Sequence, residues 1–406
     1  MSKNISCVTE VDMCCACGAC ISVCKKKCIN LKQTSIGRLY ATIDSNCIDC
    51  GLCMKVCPSL NIPGRNDDFF SLDKLNILVA RAQNEKVLMN AQSGGAVTTV
   101  LTMLFRTKKI DAALVVDAHE CVPLVVTEES QLYSSQKSVY TPLPLLIDID
   151  KIMHYKSVAI VGLPCHLTGT VNMMKYKSIP IKYKIGLICD RNLCSTIKTG
   201  ILKYFGLNIN DNVIVKWRDK NAGEGYNYKN APISVWRNNR QIGIIESKVR
   251  QKLKQAFTPL RCRCCPDKLN LNADLVFGDP WNIDTADDNG SSLIIANTSI
   301  GQDILKQSVE KGYLSVSHIC TGKELNESQH ILERRKQVAL YSRILNKHNT
   351  TCFILNQHNK DKKITKEYIR ALFSVMYFKF LEIQPQFLIE CLVKRVIIRL
   401  NKKYNE

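Results

Sequence analysis

Short, β-branched apolar runs recur through the middle of the chain. They are Ile77-Leu78-Val79-Ala80, Ala113-Leu114-Val115-Val116, Val158-Ala159-Ile160-Val161, Ile185-Gly186-Leu187-Ile188, Asp274-Leu275-Val276-Phe277 and Leu293-Ile294-Ile295-Ala296. Runs this short and this apolar read as buried strands. Between them apolar residues recur at helical spacing, as in Ala96 to Phe105, so residues 75–325 are expected to form an α/β domain around a mixed sheet. Val213 to Glu246 reads as a β-meander inserted in that domain. From residue 326 to 406 the chain turns helical and strongly basic. There Ile389, Leu392, Val393, Val396, Ile397 and Leu400 form an apolar stripe, with Lys394, Arg395, Arg399, Lys402 and Lys403 around it. Such a helix packs on its own protein, or else meets an anionic membrane surface or an acidic partner. The first 68 residues follow none of these patterns; they are cysteine-dense and close on the turn-rich Asn61-Ile62-Pro63-Gly64.

Composition narrows the class. Nothing in the 406 residues approaches the roughly 18 uninterrupted apolar residues of a membrane span. The polar start, Met1 to Glu10, lacks the apolar run of a secretory signal, so a cytoplasmic protein is expected. Twenty-one cysteines in such a compartment read as metal ligands or catalytic thiols, not disulfides. The formal charge is +20. Metal centres held by thiolates would lower that figure without reversing its sign. Acidic partners such as ferredoxins and anionic substrates fit that balance; nucleic acid is not expected, because no recognised binding motif accompanies the charge.

Cys14, Cys17, Cys20 and Cys24 follow the spacing C-x2-C-x2-C-x3-C, and Cys47, Cys50, Cys53 and Cys57 repeat it, with Pro58 after the second copy. This is the spacing of a bacterial-type two-cluster ferredoxin, in which the fourth cysteine of each run crosses to the other cluster. One 4Fe-4S cluster is accordingly assigned to Cys14, Cys17, Cys20 and Cys57, the other to Cys47, Cys50, Cys53 and Cys24. Gly18 and Gly51, each directly after a ligand, let the backbone close around the metal. Zinc is the alternative, but its motifs do not stack three ligands in seven residues. Lys25 stands where proline usually follows the fourth cysteine. Cys15 and Cys28 lie outside the spacing and read as packing thiols.

The large region carries an ordered series of motifs: Gln92-Ser93-Gly94-Gly95-Ala96-Val97-Thr98, Gly162-Leu163-Pro164-Cys165-His166, Ile185-Gly186-Leu187-Ile188-Cys189, Trp217-Arg218-Asp219-Lys220, Cys262-Arg263-Cys264-Cys265-Pro266-Asp267, Gly278-Asp279-Pro280-Trp281 and Asn289-Gly290-Ser291-Ser292. Together with the cysteine runs, the series resembles the family of coenzyme F-420 hydrogenase/dehydrogenase beta subunits over residues 1–310. The Trp-Arg-Asp-Lys element is most similar to a bacterial branch found among polysaccharide-biosynthesis genes. The resemblance implies a flavoprotein oxidoreductase that binds FAD and a third 4Fe-4S cluster and passes electrons between a ferredoxin or deazaflavin (coenzyme F-420) donor and a small organic substrate. The alternative is an electron-relay subunit of a larger complex; a homo-oligomer is also in view. Leu163, His166 and Pro280-Trp281-Asn282 depart from the usual residues and put the natural donor in doubt.

Gly94-Gly95 before an apolar-periodic segment suits an anion at a helix N-terminus, and the resemblance adds Gln92, Ser93, Thr98, Lys137, Tyr140 and Thr141 to the flavin set. A plain turn is the alternative. For the third cluster, Cys262 and Cys265 form a C-x2-C pair, while Cys165 and Cys189 fall at the C-terminal ends of expected strands, where ligands gather in open α/β sheets. Cys194 and Cys264 are the alternates, and burial as core thiols is the plainer reading. His166 and Asp279, with Asp190 and Asp267, are the acid–base candidates; a structural hydrogen-bonding role is the alternative for each.

Overall fold

The computed structural model describes residues 3–62, 72, 76–283, 289–346 and 365–405. The expected segment boundaries near 68 and 75, and Pro63-Gly64 of the turn, lie outside the described residues. Among those residues no helix is long and apolar enough to cross a membrane.

All six apolar runs are strands of one eight-stranded sheet. Its strands are β3 (Asn76–Ala82), β4 (Ala112–Asp117), β5 (Val122–Val126), β6 (Val158–Gly162), β7 (Ile181–Leu187), β11 (Leu275–Gly278), β12 (Ser292–Ala296) and β13 (Leu314–Cys320). The spatial order is β13-β3-β12-β11-β7-β6-β4-β5. The central run β11-β7-β6-β4 is parallel, and both flanks are antiparallel. Strands β5 and β13 were not read from the sequence. Partly buried and exposed residues interrupt both, whereas β6, β11 and β12 are almost continuously buried. The meander forms as β8 (Val213–Lys216), β9 (Ile233–Arg237) and β10 (Arg240–Ile245), a separate antiparallel sheet.

Alternation along the strands divides the core. Leu78 and Ala80 share one apolar layer with Val100, Leu101 and Leu104 of helix Ala96–Arg106 and Ile304 of helix Ser299–Glu310. Ile77 and Val79 face the other way, into a layer that contains Cys17, Ala19, Val23 and Val56. The cysteine-rich module therefore lies on that side of the sheet, packed over helix Pro164–Met174, whose Leu167 and Met173 belong to the same layer. It is pinned at two further points. Leu146 donates its backbone N–H to the Cys17 carbonyl at 2.9 Å. Arg38, 6% exposed, pairs with Asp12 at 2.7 Å and with Glu382 of the carboxy-terminal region at 2.6 Å.

The basic helix, Gln386–Asn405, packs on its own protein. Ile389, Val393 and Ile397 are buried, and a Cβ on Gly200 of helix Thr196–Tyr204 would stand 2.5 Å from that of Val393. That burial leaves Ile389, Val393 and Ile397 packed against the protein and unavailable to a membrane surface. Apolar residues are exposed at the start of this helix, where Phe387 is 58% exposed and Leu388 44%, and on the preceding helix, Lys366–Glu382, with the turn after it. Phe373 is 64% exposed, Met376 57%, Phe380 53% and Ile383 78%.

Candidate iron–sulfur and flavin site

The N-terminal cysteines gather in two groups, as the crossed spacing requires. Cys14, Cys17, Cys20 and Cys57 line one small cavity of about 20 Å3, together with Cys15. Cys53 lies in the electrostatic reach of Cys47 and Cys50, and Cys24 approaches the same group through Cys28. Gly18 (φ 91°) and Gly51 (φ 76°) take the left-handed conformation that turns the chain after each second ligand.

The third group forms at the C-terminal edge of the parallel strands. Strand β6 ends at Gly162, and Cys165 follows in the first turn of helix Pro164–Met174; Cys189 lies two residues beyond β7. Cys262, from the short helix Leu260–Arg263, and Cys265 complete it, with Cys189 feeling both and Cys165 feeling Cys189 and Cys265. The alternates turn away: Cys194 and Cys264 are fully buried in a core layer. An all-thiol donor set of four suits a 4Fe-4S cubane, so each of the three groups fits a cluster. Among the described residues no three histidine, cysteine or carboxylate groups converge as they would on one metal ion. Burial raises the thiols of Cys20, Cys57, Cys189 and Cys262, so iron bound by the first and third groups would displace their protons.

Cys28 is buried in one apolar layer and Cys15 packs against another, and each also meets an expected ligand thiol. Cys15 lies beside both Cys165 and Cys17, whose thiols lower its own, and so stands between the third group and the first. The fold puts it there because the module packs against helix Pro164–Met174, which carries Cys165 in its first turn. Cys28 folds back on Cys24, Sγ to Sγ 3.4 Å. Only tertiary packing made the first contact; a local turn made the second.

Beside the third group opens a cavity of about 850 Å3, with Cys189 on its wall. Gln92, Ser93, Gly95, Thr98, Lys137, Tyr140 and Thr141 also line it. Of the expected flavin set, only Gly94 is missing from the wall. A Cβ there would sit 2.5 Å from the Ser292 nitrogen, so Gly94 serves the close packing of two backbones. Gly95, left-handed at φ 72°, opens helix Ala96–Arg106 toward the cavity. Lys137 also takes a left-handed backbone, φ 84°, which a long side chain rarely adopts. Gln92 accepts from the Ser138 N–H at 3.2 Å and reaches the Tyr140 hydroxyl at 3.4 Å.

The Trp-Arg-Asp-Lys element ties this wall together, one residue at a time. Trp217 meets Tyr140 edge to face, ring centroids 6.0 Å apart. Arg218 donates to Asp279 at 2.5 Å and to the Tyr228 carbonyl at 2.6 Å. Asp219, fully buried, accepts from the Ser234 hydroxyl at 2.6 Å and lies 4.0 Å from Lys137. Lys220 donates to the carbonyls of Leu88, Ser93 and Asn289, and burial lowers its ammonium to about 8.

The acid–base candidates separate. His166 is 4% exposed; its Nε2 lies 3.0 Å from the Leu143 carbonyl and its Nδ1 accepts from the Leu163 N–H at 3.3 Å. Both ring nitrogens are engaged and burial lowers its basicity, so it holds the loop that carries Cys165 and is no free proton carrier. Asp279 is committed to Arg218. Burial pushes the Asp190 carboxyl up, but Lys254, Lys268 and Arg191 outweigh it and hold it well below the ordinary range. Asp267 is lifted by burial to about 6, and does not line the cavity. Tyr140 is the group the sequence did not single out for proton transfer. Burial would raise its phenol, yet Arg218 and Arg250 outweigh that and lower it. The cationic wall was also missed: eight Lys and Arg line the cavity against Asp190, Asp279 and Glu333. They come from six separate stretches of chain, so no local run announces them.

Thiol groups at a parallel sheet edge, beside a large cationic cavity and under a ferredoxin-type module, define an iron–sulfur protein of mixed α/β fold. Family models agree. The model for the N-terminal part of the coenzyme F-420 hydrogenase/dehydrogenase beta subunit matches residues 77–148, and the model for its C-terminal part matches residues 155–321. A 4Fe-4S binding domain model matches residues 41–62. The chain belongs to the family of coenzyme F-420 hydrogenase/dehydrogenase beta subunits. It is 24% identical over 299 residues to a component of the F(420)H(2) dehydrogenase of Methanosarcina mazei, covering 70% of this chain and 81% of the relative. It is 24% identical over 257 residues to the beta chain of the coenzyme F-420 hydrogenase of Methanothermobacter thermautotrophicus, covering 60% and 84%. A coenzyme F-420-dependent sulfite reductase of Methanocaldococcus jannaschii is 26% identical over 332 residues; the match covers 75% of this chain and 47% of that protein. A chain in the structure of the F-420-reducing nickel–iron hydrogenase complex of Methanosarcina barkeri has the same fold, at a TM-score of 0.52 and 17% identity, over 68% of this chain and 94% of that one.

Proposed function

We propose that this chain is an iron–sulfur flavoprotein oxidoreductase, with FAD and a small organic substrate sharing the large cavity and a ferredoxin or a deazaflavin as donor. One observation carries the reading: the thiol groups form an unbroken series ending at the cavity. Cys53 of the second group lies in reach of Cys20 of the first, Cys15 bridges Cys17 to Cys165, and Cys189 of the third lines the wall. Bound, the clusters would carry single electrons and the flavin would convert them to two-electron chemistry. The chain's own residues supply the rest. Ser93, Gly95 and the N-terminus of helix Ala96–Arg106 offer an anion site for a pyrophosphate. The excess of cations suits that group and an acidic substrate. Tyr140, its hydroxyl held among Gln92, Arg218 and Arg250, is positioned to give a proton into the cavity. Relatives named as hydrogenase, dehydrogenase and sulfite reductase proteins support the redox class.

The test is iron and flavin content after anaerobic purification. About twelve irons and one FAD per chain are expected, at four irons per cluster. About eight irons and no flavin would leave only the ferredoxin-type module and overturn the proposal. A second reading, a relay subunit without its own substrate, is favoured by the exposed face around Phe373, Phe380 and Ile383, which suits a partner chain. Conversion of an organic substrate by the isolated chain separates the two.

A further inference from the structure

The second N-terminal group holds five thiols where a cubane takes four. Cys24, Cys47, Cys50 and Cys53 satisfy the spacing, and Cys28 is the fifth. Its Sγ lies 3.4 Å from that of Cys24, and Cys47 stands close enough to raise its thiol as well. Two sulfurs that close cannot occupy two corners of one cubane, since each corner takes its own thiolate.

A local turn produces the arrangement. Where proline usually follows the fourth cysteine, this chain has Lys25, and the backbone after it is free to curl. The Lys27 N–H closes on the Cys24 carbonyl at 3.0 Å, and Lys27 takes a left-handed φ of 51°. That conformation is uncommon for a residue with a long side chain, and it reverses the chain within three residues. Cys28 then arrives under Cys24 and is fixed there. Its carbonyl accepts from the Asp44 N–H at 3.0 Å, and the next residue, Ile29, begins β1 (Ile29–Gln33), paired with β2 (Leu39–Ile43) in antiparallel register. Cys28 is 2% exposed, so solvent does not compete for it.

We propose that Cys24 and Cys28 share one corner of the second cluster, Cys24 as the ligand and Cys28 as its hydrogen-bonding partner and built-in substitute. The inference rests on the reading that this group holds a 4Fe-4S cluster. With both present, the Cys28 S–H donates to the ligand sulfur, and a donor at that sulfur favours the more negative, reduced state. When Cys24 is removed, the Cys28 thiol gives its proton to water and its sulfur makes the iron bond; no electron changes hands.

The experiment compares Cys24→Ala, Cys28→Ala and the double variant by iron content, electron paramagnetic resonance and potentiometric titration of the anaerobic full-length protein. Each single variant is expected to keep the iron of the unmodified chain. The double variant should lose about four irons, one cluster's worth. Cys24→Ala should shift the resonance of one cluster only, and Cys28→Ala should lower the potential of that same cluster. Loss of about four irons from Cys24→Ala alone would make Cys28 a bystander and overturn the proposal. The same loss from Cys28→Ala alone would make it the sole ligand, and full iron in the double variant would remove both from the cluster; either overturns sharing. Absence of the N-terminal clusters from the unmodified protein would overturn the wider reading instead, and is told apart by its own iron count.

Discussion

The N-terminal thiol groups and the third thiol group have the same donors and are built by opposite means. In the module, three thiols of each group come from one loop of seven residues, and left-handed Gly18 and Gly51 set the turns. At the sheet edge, Cys165, Cys189, Cys262 and Cys265 are drawn from a span of about a hundred residues. Only the Cys262–Cys265 pair is local; Cys165 and Cys189 are brought together by the parallel pairing of β6 and β7. The module sites therefore depend on loop geometry, and the third site on the register of a sheet. They meet at Cys15, which a module loop supplies to the sheet-edge group.

Removing the third group alone gives the sharpest break. Cys262→Ala with Cys265→Ala should cost about four irons and leave the module's signals, at four irons per cluster. Reduction of flavin by an external ferredoxin should fall at least about tenfold, the scale on which losses around a metal site reduce activity. Cys50→Ala is the converse control: iron is lost, and flavin content should not change. Equal loss of all clusters from either variant would show one cooperative site instead of two kinds.

The next effect tests the joint between the regions. Arg38 is nearly buried and holds Asp12 of the module and Glu382 of the helical region together. Arg38→Ala leaves two carboxylates facing each other with no arginine between them, and should cost about 3–5 kcal/mol. Thermal unfolding followed by iron absorbance measures it. A shift confined to the carboxy-terminal helices, with the module's iron retained, would mean the module is docked by its apolar face alone.

The smallest effect belongs to the cavity wall. Burial lowers the Lys220 ammonium to about 8 from its ordinary 10.5. Between those values the unfolded chain holds a proton that the folded chain has released. Stability should therefore rise with pH across that window, against the cost of burying the charge below it. Lys220→Met should flatten the rise when unfolding is measured from pH 7.5 to 10. Arg38→Ala acts on the carboxylates of the module joint, so it should leave the slope unchanged.

Much of this was legible in the chain. The two cysteine runs specify their clusters because ligand spacing is a property of loops, which sequence encodes directly. The six apolar runs became strands, and the meander formed, because continuous β-branched runs have few other ways to bury themselves. Flavin candidates Gln92 through Thr98 fell on the cavity wall, Gly94 excepted, because they open a helix at a strand edge. Tertiary structure alone decided the remainder. His166 reads as an acid–base candidate until the Leu143 carbonyl takes its Nε2. Cys15 reads as a spare thiol until the module docks against helix Pro164–Met174. The basic stripe of the last helix is as amphipathic as a membrane anchor, but Gly200 opens a place for Val393 and buries it. Sequence determined which residues carry the chemistry in each loop. Which loops face each other was decided by packing of distant segments, whose free energy depends on shape complementarity that no local pattern records.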